Sequence, residues 1–88
     1  MDQLVTALRT FDGRFVRIRV GTSEGTAVAE MAGVLREPEW SSDGLARELE
    51  GTDPRPAIWL SEARLIEIRR DGLIAASRGL EVRIDVAE

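Results

Sequence analysis

The sequence LEVRIDV, residues 80–86, alternates apolar and charged residues more clearly than any other stretch of the chain. Successive side chains of a β-strand point to opposite faces of a sheet, so this alternation gives one apolar and one charged face. The apolar face holds Leu80, Val82, Ile84 and Val86, and the charged face holds Glu81, Arg83 and Asp85. The stretch therefore predicts a half-buried strand.

The same period of two occurs in FVRIRV, residues 15–20. Here the predicted inner face holds Val16, Ile18 and Val20, and the outer face holds Phe15, Arg17 and Arg19. Shorter apolar runs between turn residues predict further strands at 27–37, 57–60, 64–70 and 73–77. Hairpin turns are predicted at Asp71-Gly72 and Arg78-Gly79. Before the first strand, a short amphipathic helix is predicted from Leu4, Val5, Leu8 and Phe11.

Residues 45–50 (LARELE) fit two structures. Leu45 and Leu49 are four residues apart, which suits a helical turn, but Leu45, Arg47 and Leu49 also alternate as they would in a strand. The strand is the favoured interpretation, because residues 31–37 need a hairpin partner.

The chain has 88 residues, which is enough for one compact domain, because two separate cores would each be too small to fold unaided. We expect a single domain over residues 1–88, with an N-terminal helix in 1–12, a barrel in 13–70 and a C-terminal hairpin or extra strand in 71–88. The predicted class is mostly β: a short helix followed by a small, strongly bent antiparallel barrel of five to seven strands.

The composition argues against most enzyme classes. The chain has no His, Cys, Lys or Tyr, and all twelve of its basic residues are Arg. Soft metal sites, disulfides, Schiff bases and neutral-pH histidine catalysis therefore have no residues to carry them, and we expect a protein that is not an enzyme and uses no cofactor. The third function considered is a carboxylate-metal hydrolase built from loop acids, namely Glu37, Glu39, Asp43 and Asp53.

Charge and hydropathy bear on location. The net charge is −4, and the amino terminus MDQLVTALRTF lacks the basic start and long apolar run of a signal peptide. No stretch of 18 apolar residues occurs, so we expect a cytoplasmic protein without membrane contact. Arginines and carboxylates alternate on the predicted outer faces, which is typical of a solvated surface rather than a one-sided nucleic-acid site.

The order of these elements resembles the Sm-like family of the SH3-like barrel group over residues 1–70. The similar features are the N-terminal helix, LRTFDGRFVRIRV, the long bent strand ending in GVLREPE, and AIWLSEARLIEI. The resemblance implies a small barrel that assembles into a ring of six or seven subunits and binds RNA through two loops.

The first of these loops corresponds to EPEWSSDG, which offers Asp43, and the second corresponds to Ser61 and Glu62. Glu62 is acidic where the family places a cation, and the net charge of −4 also disfavours RNA. The candidate contacts for a partner or for RNA are Trp40, Asp43, Trp59, Ser61, Glu62, Arg17 and Arg19.

The aromatic residues raise the question of an interface. Trp40 lies beside a polar turn, where it either anchors a partner or folds back over the barrel end. If Ile58 and Leu60 fill the core, Trp59 points outward, and together with Phe15 and Met31 it would form a subunit interface. The leading hypothesis is an oligomerising or protein-interaction module, with an RNA-binding ring as the alternative.

Overall fold

A computed structural model describes residues 3–22, 24–51 and 54–88. It contains one helix, α1 (Gln3–Phe11), followed by seven strands. The strands are β1 (Phe15–Thr22), β2 (Ala27–Arg36), β3 (Ala46–Glu50), β4 (Ala57–Trp59), β5 (Arg64–Arg69), β6 (Gly72–Ser77) and β7 (Leu80–Val86). The predicted mostly-β class with a short N-terminal helix is confirmed.

The strands form one antiparallel sheet in the order β4-β3-β2-β1-β7-β6-β5. Its two edge strands, β4 and β5, are consecutive in the chain and are joined through residues 60–63. Within the described ranges no ladder pairs β4 with β5, so the sheet is bent but not closed into the barrel that the sequence predicts.

The two stretches with the clearest alternation pair directly with each other. In the β1–β7 ladder Ile18 lies opposite Ile84, and both side chains are almost fully buried. Within residues 71–88, β6 and β7 pair as a hairpin, and this hairpin lies between β1 and β5 in the sheet. Leu80 lies on the predicted inner face with Val82 and Ile84, but it is 41% exposed because it stands at the strand end.

The turn between β5 and β6 is formed by Arg70 and Asp71, one residue earlier than the predicted Asp71-Gly72 turn. Gly72 instead begins β6 and pairs with Asp85. A Cβ at Gly72 would lie 2.6 Å from the carbonyl oxygen of Ile84, so the close approach of β6 and β7 requires glycine at this position.

Helix α1 packs against the inner face of the sheet. Its apolar stripe places Leu4, Leu8 and Phe11 in the core, where each is at most 2% exposed. Gly13 then takes a positive φ of 86°, and its N–H donates to the carbonyl oxygen of Leu35. The left-handed backbone at Gly13 ends the helix, and the bond to Leu35 fixes the start of β1 beside β2.

Residues 46–50 form strand β3, as the favoured interpretation predicted. The reason is long-range pairing, because Leu49 lies opposite Leu35 of β2 and both are buried. Arg47 shares the inner face with Leu49 and is fully buried. That burial was not predicted.

Candidate interaction surface

The two tryptophans lie against each other on the surface. Trp40 is in the loop that joins β2 to β3, and Trp59 is the last residue of the edge strand β4. Their ring centroids are 4.7 Å apart and the ring planes are tilted by 48°. Although they touch, Trp40 is 51% exposed and Trp59 is 65% exposed.

Register explains why Trp59 faces outward. In the β3–β4 ladder Trp59 lies opposite Ala46, and Ile58 lies opposite the buried Arg47. Ile58 packs against the core and Leu60 is 3% exposed, so Trp59 occupies the other face of the strand. Of the two orientations that the sequence left open, this is the one that places Trp59 on the surface.

One hydrogen bond holds the loop of Trp40 to the turn after Trp59, and a second lies within that loop. Ser61 donates its hydroxyl to Oδ2 of Asp43 at 2.8 Å, and the N–H of Leu45 donates to Oδ1 at 2.9 Å. These donors, first the N–H of Leu45 and then the hydroxyl of Ser61, hold the pKa of Asp43 below its ordinary value. We refer to Trp40, Asp43, Trp59 and Ser61 as the tryptophan surface.

Arg47 anchors the same loop from below. Its Nε donates to Oδ1 of Asp12 at 2.8 Å, and its Nη1 donates to the carbonyl oxygens of Gly44 and Ala46 at 2.8 and 2.7 Å. Its Nη2 is 3.9 Å from a carboxylate oxygen of Glu37. The loop is therefore tied to the end of α1. In the sequence, only the alternation of Leu45, Arg47 and Leu49 indicated that the side chain of Arg47 points inward.

Burial and the positive charge of Arg47 have opposite effects on the pKa of Asp12. Burial raises the pKa of Asp12, and the nearby guanidinium of Arg47 lowers it, with burial the larger of the two influences. The side chain of Asp12 is 26% exposed, so water reaches part of the ion pair. The pair positions the loop while recovering only part of the cost of burying two charges.

An apolar groove of about 300 Å³ lies beside Trp59 on the inner side of the sheet. Ile58, Leu80 and Val82 line it. At its rim Arg78 forms an ion pair with Glu62, and both residues have a positive φ. A non-glycine residue with positive φ is uncommon, so this rim has a strained backbone at two places.

The structure brings together four of the predicted contact residues, namely Trp40, Asp43, Trp59 and Ser61, and leaves the others apart. Glu62 follows Ser61 directly but pairs with Arg78. Arg17 and Arg19 lie on the outer face of β1, two strands from β3, and pair with Glu30 and Asp85.

The three residues predicted as a subunit interface are not brought onto one surface. Phe15 faces outward from β1 opposite Val34 and is 44% exposed. Met31 pairs with Ile18 on the inner face and packs against the core. Trp59 lies on edge strand β4, with β3 and β2 between it and Phe15.

Most arginines have a carboxylate neighbour. In the described ranges, ten of the twelve arginines lie within 4 Å of a carboxylate oxygen, and the exceptions are Arg64 and Arg70. The outer faces of the strands therefore form a lattice of opposite charges.

Two of the loop acids considered for a metal have other neighbours. Glu37 lies near Arg9 and Arg47, and Asp43 accepts the two bonds described above. Asp53 lies outside the described residues. The part of the chain that the structure covers holds no group of three or more acidic residues placed to bind a metal ion.

Over the same residues, no helix has the length and apolarity needed to cross a membrane. Comparisons with models of known protein families, with curated proteins and with solved structures give no match for this chain.

Proposed function

We propose that this protein is a non-enzymatic interaction module, and that it self-associates by burying the tryptophan surface against a second copy of the chain. The single observation that carries the proposal is the contact between Trp40 and Trp59, which leaves more than half of each side chain exposed. Tryptophan is enriched among the residues that dominate binding energy at interfaces, so two neighbouring exposed tryptophans favour a contact site.

The place of the tryptophan surface in the fold supports a second copy as the partner. Trp59 ends an edge strand, and edge strands offer unpaired backbone groups to a neighbouring chain. A two-fold axis beside β4 would bring the same edge and the same aromatic pair together from both subunits. The rim is polar, with Asp43 and Ser61 bonded to each other, as the rims of protein interfaces usually are.

The non-enzymatic character is supported by the available chemistry. The chain has no His, Cys or Lys, and the only acid on the tryptophan surface, Asp43, accepts hydrogen bonds that stabilise its ionised form. A carboxylate whose pKa is lowered in this way is a poor proton donor or acceptor near neutral pH.

An Sm-like ring that binds RNA is the alternative. Such a ring would need arginines that are free to bind phosphate. Arg17 pairs with Glu30 and Arg19 pairs with Asp85, so these two arginines support RNA binding less than they would if unpaired. It predicts RNA that copurifies with the protein and an affinity that falls steeply with salt.

Sedimentation velocity over a range of protein concentrations tests the proposal. We expect the wild-type mass to rise above that of one chain as concentration increases, and we expect Trp59→Ala to remain monomeric at the same concentrations. Val28→Ala is the matched control, because Val28 is 62% exposed on β2, away from the tryptophan surface. A monomeric wild type, or equal weakening by both variants, would contradict the proposal.

A further inference from the structure

The opposite edge of the sheet has a different chemical character. Strand β5 is an edge strand, and its Ile66 and Ile68 are 49% and 52% exposed. A bulge between Leu65 and Glu67 makes Ile66 the extra residue opposite β6. Ile68 pairs with the buried Leu73, so its side chain belongs to the inner face and is uncovered only because the sheet ends there.

The backbone of β5 is available at this edge. The two-residue turn at Arg70 and Asp71 makes Arg69 and Gly72 the closing pair of the hairpin. Hydrogen-bonded and non-hydrogen-bonded pairs alternate along an antiparallel ladder, so the N–H and C=O of Ile68 point away from β6. These groups could pair with an added strand.

A groove continues the inner face beyond β5. It has a volume of about 450 Å³ and lies between α1 and β5. Ala7, Leu65 and Ile68 supply apolar lining, and the helix adds Gln3, Thr6 and Thr10 at the rim. A strand added to β5 would direct alternate side chains into this groove, under the helix.

The charge at this edge indicates the chemistry of the partner. Among the described residues, Arg64 and Arg70 are the two arginines that have no carboxylate oxygen within 4 Å; Arg64 begins β5, and Arg70 follows its last residue. Arg70 is six positions after Arg64, which corresponds to roughly 20 Å along an extended chain. Two copies of β5 paired about a two-fold axis would bring these arginines against each other, which disfavours a second copy at this edge.

We propose that the edge of β5 binds an extended acidic peptide segment as an added strand, with apolar side chains in the α1–β5 groove and carboxylates near Arg64 and Arg70. This site goes beyond self-association at the tryptophan surface, because it uses the other edge of the sheet and a partner of different chemistry.

The probe is a blocked peptide, Glu-Val-Thr-Val-Thr-Val-Glu, and its counterpart has lysine in place of both glutamates. Titration of the ¹⁵N-labelled full chain, followed by amide chemical shifts, is expected to move residues 64–70 and α1. We expect the glutamate peptide to bind about fivefold more tightly than the lysine peptide, as two exposed ion pairs allow. The double variant Arg64→Gln/Arg70→Gln should lose this preference.

The matched control is Arg9→Gln/Arg55→Gln, which makes the same change in net charge elsewhere and should keep the preference. Equal affinity for the two peptides, shifts confined to the tryptophan surface, or no shifts at millimolar peptide would overturn the proposal. Shifts of residues 64–70 that depend on protein concentration alone would also overturn it, because a second copy would then occupy this edge. None of these outcomes depends on whether Trp59→Ala abolishes self-association.

Discussion

Removal of the Asp12 carboxylate, in Asp12→Ala, should destabilise the protein by leaving the buried Arg47 without its nearest counter-charge. Removing one partner of a buried ion pair costs about 3–5 kcal/mol. Here the cost is smaller, because Asp12 is 26% exposed, Glu37 stays 3.9 Å from Nη2 of Arg47, and the carbonyls of Gly44 and Ala46 still accept hydrogen bonds. We expect a loss of about 2 kcal/mol in the free energy of unfolding, or a fall in Tm of about 8–16 °C.

Urea unfolding, followed by circular dichroism and by tryptophan fluorescence, measures this loss. Asp85→Ala is the matched control, because it removes the same charge from the exposed pair with Arg19 and should cost less than about 1 kcal/mol. Asp12→Asn keeps an acceptor for Arg47 and should fall between the two. Equal costs for Asp12→Ala and Asp85→Ala would show that the Asp12–Arg47 pair contributes no more than an exposed pair, and additivity between Asp12→Ala and Arg47→Met in a double-mutant cycle would show that the two side chains do not interact.

Three further changes test the packing and the loop. Phe11→Ala removes a fully buried ring and should cost about 3–5 kcal/mol in urea unfolding, whereas a cost below about 1 kcal/mol would contradict its place in the core. Gly33→Ala puts a Cβ 2.7 Å from the carbonyl oxygen of Glu50 and should lower stability by about 1–3 kcal/mol, and an unchanged Tm would contradict the register of β2 and β3. The lowered pKa of Asp43 contributes stability above its unfolded pKa of about 4, and this is lost as pH falls through the lower folded value. Ser61→Ala should therefore move the acid transition of tryptophan fluorescence to higher pH, and an unchanged midpoint would show that the hydrogen bond from Ser61 does not stabilise the carboxylate.

The strands that could be predicted from the sequence are those whose pattern is local. Alternation in residues 15–20 and 80–86 directly reports which side chains face the core, and Ile18 and Ile84 are buried as expected. The order of the strands could not be predicted in this way, because it depends on which strands pair with each other over long distances in the sequence. Nothing in the local pattern of 80–86 states that its partner is β1 rather than a strand of another subunit.

The candidate site was predictable only in part, for a similar reason. The sequence identified Trp40 and Trp59 as informative, but their contact depends on the β3–β4 register and on the path of a loop. The burial of Arg47 was not predicted, because charged residues are seldom buried without a partner. The partner, Asp12, lies 35 residues away in the sequence, so no local pattern indicated it. Met31 was placed with the interface residues, although its register opposite Ile18 turns it inward.

Self-association as we propose it buries Trp40 and Trp59, which are the only two tryptophans in the chain. Their fluorescence therefore reports on this surface alone. The most direct test is to measure emission wavelength and acrylamide quenching as the wild-type protein is diluted, with the mass determined on the same samples. We predict that emission shifts to longer wavelength and quenching increases as the mass falls to that of one chain. A mass that falls while both fluorescence signals stay constant would contradict the claim, and so would a protein that is monomeric throughout.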